Sequence, residues 1–349
     1  MQAHSVEEPG SKLKHQMLPK RHTDVLQARP TWANLRPHMS GLIQPTFAAY
    51  TLLRLFEACN DRVYLGEMYV RVKRYHDWLA QNRDFDGDGL LTIISPFESG
   101  MDWKPSYDLV LGYTERMTPD KLYWNKLFWK GVDVDLCNFL AGYDLKKIRQ
   151  RARFLVKDVA FNVIYAQDLA AMQTLAQIVG DGDASAYKRR RQQVQQSVMD
   201  MMYDEVDAAF YDLHEPGSRR LRTRTPTIFF PLALDSVSDA CANAVLQRHF
   251  SGYAEFDIPY PLPSVAPDDS SFHPGESPFI WRGPTWAFPN WFLYHAFKRH
   301  GFDTQAQYLK NALAAAIKQS GFREYYNPYR GEGYGANDFT WSGLLIDMD

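Results

Sequence analysis

The sequence predicts an all-α chain, and three observations carry that expectation. Apolar residues recur every three to four positions through most segments. Sustained period-2 alternation is almost absent. The stretches between periodic segments are long and rich in glycine, proline and aromatic residues. In chain order, helices are predicted over 46–59 and from Leu65, where Met68, Val72, Tyr75 and Leu79 form one stripe. Further helices are predicted near 119–129 and 139–152. The mostly apolar segment 157–179 follows and stops at Gly180. Segment 183–203 sets Ala186, Val194, Val198 and Met202 against a face of Arg and Gln. Segments 234–250, 285–299, 304–319 and 338–347 complete a set of about ten. In 304–319 the stripe is Ala306, Leu309, Leu313 and Ile317, with Asp303 as N-cap and Gly321 as the stop. One β pairing is expected, between 209–211 and 227–230.

Composition narrows the functional class. The chain has 349 residues, 45% of them apolar and 23% charged, with a net charge of −2. That balance is ordinary for a globular protein, and it disfavours a nucleic-acid partner or an anionic membrane surface, which select a basic excess. Length alone suggests two domains, but no linker or low-complexity tract interrupts the helices. The expected organisation is an N-terminal arm, 1–40, followed by one domain, 41–349. No apolar run is long enough to span a membrane, and the N-terminus lacks the apolar centre of a signal peptide. Cys59, Cys137 and Cys241 lie far apart without a CxxC pair. Together these features point to a reducing, cytoplasmic setting. The 10 histidines show no HExxH or other ligand spacing, so neither a catalytic metal nor a cofactor is expected. Aromatic residues make up 14% of the chain and crowd its loops, where flat rings serve sugar binding.

Three loop segments are rich in aromatics, and the first and third set carboxylates beside them. They are SPFESGMDW (95–103), FIWRGPTW (279–286) and FREYYNPYRGEG (322–333). Acetal hydrolysis needs an undissociated acid to protonate the leaving oxygen and an ionised carboxylate to activate water. Partial burial among aromatics raises the pKa of a proton donor. Any one such carboxylate more often caps a helix or pairs in a loop; three segments together favour chemistry. The loop 256–278, with Pro259, Pro261, Pro263, Pro267, Pro274 and Pro278, is stiffened in the manner of an ordered functional loop.

ESGMD with PSYD just after it, IWRGPTW, and EYYNPYRGEG followed by FTWSGLL resemble the signature blocks of glycoside hydrolase family 63 and its relatives. QPTFAA, KDVAFN and YPLPSV extend the likeness from Gln44 to the C-terminus. The resemblance implies an (α/α)6 toroid of helical hairpins and inverting hydrolysis of an α-glycoside. The substrate class it implies is a small carbohydrate: a glucosyl- or mannosylglycerate or a short α-glucan. It assigns the general acid to Asp102, the last residue of ESGMD, and the general base to Glu324, which opens EYYNP. Gln44, Glu98, Trp103, Trp281, Arg282, Trp286, Glu332 and Trp341 are the expected substrate contacts. Two departures stand out. Relatives often carry Asn-Ser-Pro after the acid, where this chain has Trp103-Lys104-Pro105. A cation there would favour the ionised acid unless Lys104 points to solvent, which is the expectation. Relatives also carry a Trp-x-Trp-Asp element upstream, where only Trp32 is found. With about ten helices against the twelve that six hairpins need, the implied toroid lacks its first hairpin.

Other features have plainer readings. Asp84, Asp86 and Asp88 mimic the start of an EF-hand loop, but Ser95 stands at position twelve, so a turn is favoured over calcium. Arg282 serves either as an ion-pair partner or as a donor to substrate. Trp281, Trp286 and Trp341 are either core or platform. Lys188-Arg189-Arg190-Arg191 reads as a solvated helix face. The rival functions are a non-catalytic sugar-binding pseudo-enzyme or truncated glycosidase and, more distantly, a phosphorylase using Arg323 and Arg330 beside Glu324.

Overall fold

A computed structural model describes residues 41–113, 126–251, 255–277 and 280–349, with the side chains of 126–128 also left out. The expected arm, 1–40, lies outside the described residues, as does most of the helix expected over 119–129. Helices α1 (Ala48–Cys59) and α2 (Arg62–Asn82) pack on each other, and α2 is capped by Asp61, which accepts from the Val63 and Tyr64 amides. Helices α3 (Lys126–Leu140) and α4 (Leu145–Arg151) replace the single helix expected over 139–152. Gly142 and Tyr143 take left-handed φ values, and Asp144 then caps α4, so the chain turns where periodicity alone runs on.

Helix α5 (Val159–Val179) is the centre of the core. It starts at the N-cap Asp158, stops at left-handed Gly180, and buries 14 of its 21 residues. Helix α6 (Ala184–Ser197) runs alongside it and ends in a π turn, Val198–Met202. Helices α7 (Asp239–His249), α8 (Ala287–Arg299) and α9 (Asp303–Ser320) follow, with α8 packed on α9. Asp303 is the first residue of α9, and Phe302 occupies the cap position expected for it. The segment expected as a last helix is a 3-10 helix, Thr340–Asp347.

The chain is helical but not purely so. Three small antiparallel sheets join the helices: β1 (Val156–Lys157) with β4 (Asp212–His214) and β5 (Arg219–Leu221); β2 (Tyr203–Asp204) with β3 (Ala209–Phe210); and β6 (Arg323–Tyr326) with β7 (Gly333–Asn337). The expected pairing of 209–211 with 227–230 is therefore replaced. Residues 209–210 pair with β2 instead, and Pro226–Ala233 is a buried 3-10 helix. Pro226 and Pro231 lack the amide donors a ladder requires, so an apolar run there closes on itself. Among the described residues, no helix is long and apolar enough to cross a membrane.

Candidate active site

The three aromatic-rich loops, of which the first and third bear carboxylates, are far apart in sequence and meet in space. The first leaves α2 through a buried brace. Arg83 donates to both oxygens of Glu98, at 2.8 and 2.6 Å, and the amides of Ile43 and Ile94 complete that carboxylate at 3.0 and 2.8 Å. Glu98 is fully buried, so the expected substrate contact is instead the anchor of the acid loop. Beyond it, Gly100 and Trp103 take φ values of 71° and 67°. The Trp103 ring is buried edge-on against Phe97, with centroids 5.0 Å apart. It packs so near Gly131 that a Cβ there would lie 3.0 Å from it. Trp103 is thus packing, and Asp102 stands at the turn it stabilises.

Lys104 does not reach solvent. It is 1% exposed, ion-paired with Asp158 and 2.8 Å from Asp212. Burial alone would depress its pKa, but the two carboxylates outweigh that and hold it above its ordinary value. Burial likewise opposes ionisation of both acids. Lys104 overcomes it at Asp158, whose pKa falls, whereas Asp212 remains raised by burial and by Asp158. Nearby on α3, Asp135 has a sealed Oδ1 with no hydrogen-bond partner. Its pKa is pushed up to about 7 by burial, with smaller contributions from the charges of Glu98 and Asp102.

The second loop is tied to the first by Arg282, which forks onto Asp108 of the PSYD segment at 3.0 and 2.5 Å. Both side chains are buried, so of its two readings Arg282 takes the ion pair rather than the substrate donor. The next residue, Gly283, has φ 154°, and a Cβ there would meet the His273 carbonyl oxygen at 2.2 Å; only glycine fits. Its amide donates to Ser264 Oγ of the YPLPSV segment at 2.8 Å. Trp281 and Trp286 stack face to face at 4.1 Å, and Trp286 lies over Tyr325 at 5.1 Å. At 3% and 2% exposure these two indoles are core rather than open platforms.

The third loop is the β6–β7 hairpin. Thr285 and Tyr326 exchange both backbone hydrogen bonds at 2.9 Å, which joins the second loop to the third. On β6, Glu324 Oε2 accepts the Ala336 amide of β7 at 3.0 Å. A Cβ on Gly335 would stand 2.5 Å from that oxygen, so glycine makes room for the carboxylate. Glu332 is half-exposed and accepts from Tyr334 Oη at 2.7 Å and Arg330 at 2.8 Å. The Tyr334 hydroxyl, then Arg330, holds its pKa below the usual carboxylate value. Phe279 of the second block lies outside the described residues.

Beside the acid loop opens a cavity of about 550 Å³ whose walls include Gln44, Tyr50, Gly100, Met101, Phe288 and Trp341. Gln44 is fixed there by its amide, which donates to the Phe97 carbonyl at 2.7 Å. Of the expected contacts, Gln44 and Trp341 face this cavity, whereas Asp102, Glu324, Trp281, Trp286 and Glu332 are not among its walls. The Asp84 loop is closed internally. Asp84 accepts the Gly87 and Gly89 amides, and Asp86 and Asp88 face buried Lys157 at 2.8 and 2.5 Å. Among the described residues no cluster of three or more His, Cys, Asp or Glu could hold a metal ion. In the basic run, Arg190 and Arg191 pair with Asp77 and Asp235, as a helix face does.

Sequence reasoning missed Asp108, Asp135 and Asp212, and it also missed Asp168. Asp168 sits inside the apolar helix α5 and accepts from Thr46 and the Tyr50 amide at 2.7 Å and meets His76 at 2.8 Å. Its signal was available, since an aspartate amid an apolar helix must be paired.

On a largely helical frame, aromatic loops joined through Arg282–Asp108 and Thr285–Tyr326 carry the two candidate catalytic carboxylates. Comparison with known proteins gives the family. The chain belongs to the mannosylglycerate hydrolase MGH1-like glycoside hydrolase domain family, whose model matches residues 7–342. It is 27% identical to a mannosylglycerate hydrolase of Rubrobacter radiotolerans, over 94% of this chain and 77% of that one. It is 28% identical to a mannosylglycerate hydrolase of Thermus thermophilus, over 97% and 84%. The crystal structure of a Thermus thermophilus family 63 mannosylglycerate hydrolase in complex with glucose superposes with a TM-score of 0.78 at 27% identity, covering 90% of this chain and 76% of that one.

Proposed function

We propose that the chain hydrolyses the α-glycosidic bond of a glycerate glycoside, mannosyl- or glucosylglycerate, with inversion on an (α/α)6 toroid. Asp102 gives its proton to the leaving oxygen as the bond to the anomeric carbon breaks. Glu324 takes a proton from the water that attacks the opposite face. The carboxyl groups are then expected to stand about 6.5–9.5 Å apart, leaving room for that water. Gln44 and Trp341 contact the sugar from the cavity wall, and Glu332 acts through Tyr334. The three free thiols fit a reducing, cytoplasmic setting.

The observation that carries this reading is the convergence of the three loops through Arg282–Asp108 and Thr285–Tyr326. Those contacts link the turn that carries Asp102 to the hairpin that carries Glu324, which supports their working as a pair. The test is turnover of mannosylglycerate, glucosylglycerate, trehalose and short α-glucans by the wild-type protein, Asp102→Asn and Glu324→Gln. Each variant is expected to lose about 10²–10⁴ in kcat while keeping its circular dichroism spectrum. A folded variant with more than about a tenth of wild-type turnover would remove that residue from its role.

A further inference from the structure

We infer that Lys104 is a positioning residue for the proton donor: clamped beneath the acid loop by Asp158 and Asp212, it holds the backbone turn that presents Asp102. The inference rests on the assignment of Asp102 as general acid and extends it.

The geometry is specific. The Lys104 amide donates to the Met101 carbonyl at 3.2 Å, so Asp102 and Trp103 are the two central residues of a closed turn. Trp103 takes a left-handed φ there, an unfavourable conformation for a bulky side chain that persists only where the surroundings impose it. Two anchors impose it. On one side the Trp103 ring is wedged between Phe97 and Gly131. On the other, the Lys104 chain descends into the core and ends between two carboxylates. Pro105 follows and restricts Lys104 to the extended backbone it shows, with φ −50° and ψ 130°.

The carboxylates are themselves immobile. Asp158 accepts the Phe161 amide at 2.8 Å and the Tyr107 hydroxyl at 2.7 Å. Asp212 accepts the Val159 amide at 2.9 Å and the Ser106 hydroxyl at 2.7 Å. Lys104 therefore pins the acid turn to the first turn of α5, and Ser106 and Tyr107 pin the next three residues to the same pair. The cation that would depress a neighbouring acid in solvent is neutralised here by two carboxylates behind the loop.

A misplaced acid costs rate only where the leaving group needs a proton. The experiment compares kcat on the glycerate glycoside that the wild-type protein turns over with kcat on the α-glycosyl fluoride of the same sugar, whose fluoride leaves without protonation. Asp102→Asn is the control. Lys104→Met is the test, and Lys104→Met combined with Asp212→Asn keeps the net buried charge unchanged should the single variant not fold. The expected result is a loss of about 10–100-fold on the glycoside, with fluoride turnover within about threefold of wild type and KM little changed. Equal losses on both substrates, no loss on either, or failure of both Lys104 variants to fold would overturn the inference and leave Lys104 a structural residue. If Asp102→Asn itself does not separate the two substrates, the acid assignment fails instead.

Discussion

The two sides of the proposed site, the Asp102 loop as acid side and the Glu324 hairpin as base side, are built by different physics. The acid loop is held by buried charge: Arg83–Glu98, Lys104–Asp158–Asp212 and Arg282–Asp108 are ion pairs almost wholly withdrawn from water. The base stands on a two-stranded hairpin, where one amide, one glycine and a stack of aromatic rings fix Glu324. Its neighbouring ion pair, Arg330–Glu332, is largely exposed, and such pairs contribute little. A charged scaffold can be altered by removing a partner, with the cost falling mainly on stability except at Lys104, whose clamp also sets the turn. A backbone scaffold is altered by adding an atom, with the cost falling on geometry. Mutations on the two sides should therefore separate stability from rate.

Apart from the two proposed catalytic carboxylates themselves, the largest effect on rate is expected at Gly335→Ala. The added Cβ collides with Glu324 Oε2, and the residue already has a left-handed φ of 67°. We expect kcat to fall by about 10²-fold, since displacement of a reacting group by roughly 1 Å has that cost. Thermal stability should change much less. A variant within about threefold of wild-type kcat would show that the hairpin does not set the position of Glu324.

Glu98→Gln probes the opposite side. It leaves the Arg83 guanidinium buried without its counter-charge, and breaking such a pair costs about 3–5 kcal/mol. Denaturant unfolding should show that loss, while kcat measured well below the lowered Tm should remain within an order of magnitude. A near-normal unfolding free energy would mean that water or a rearranged loop solvates Arg83.

Asp135→Asn has a smaller effect with a defined sign. Because the folded-state pKa is about 7 against an ordinary 3.8, the folded chain holds this proton more tightly than the unfolded chain. Wild-type stability should therefore fall as pH rises from about 4 to 7, and level off above. The asparagine variant escapes that loss. Its advantage should be about 2–4 kcal/mol at pH 8 and vanish near pH 4. Equal stability differences at both pH values would show that Asp135 is ionised in the folded protein.

The same division explains what was legible in the sequence. Helical periodicity located α1, α2, α5, α8 and α9 closely, because each buries one stripe or a whole cylinder and ends at a residue such as Gly180 or Gly321. It failed over 227–230, where a continuous apolar run has no period to read and two prolines decide the outcome. The glycine-dependent base side was visible as EYYNPYRGEG, since its constraints are local. The acid side was only half visible. ESGMD marks the turn, but nothing local shows that Arg282 would pair with Asp108, 174 residues away. Nor does it show that Lys104 would turn inward, because buried charge is specified by partners distant in sequence. Glu98 was misread as a sugar contact for the same reason: its four donors come from Arg83, Ile43 and Ile94.

The most direct measurement of the central account is early proton NMR of the sugar released from the α-glycoside, taken before mutarotation equilibrates the anomers. Asp102 as acid and Glu324 as base, on opposite faces of the bond with a water between, require the β-anomer to appear first and the α-anomer to grow only later. Initial release of the α-anomer would contradict the account, because retention requires a carboxylate close enough to bond the sugar rather than a water held apart from the acid.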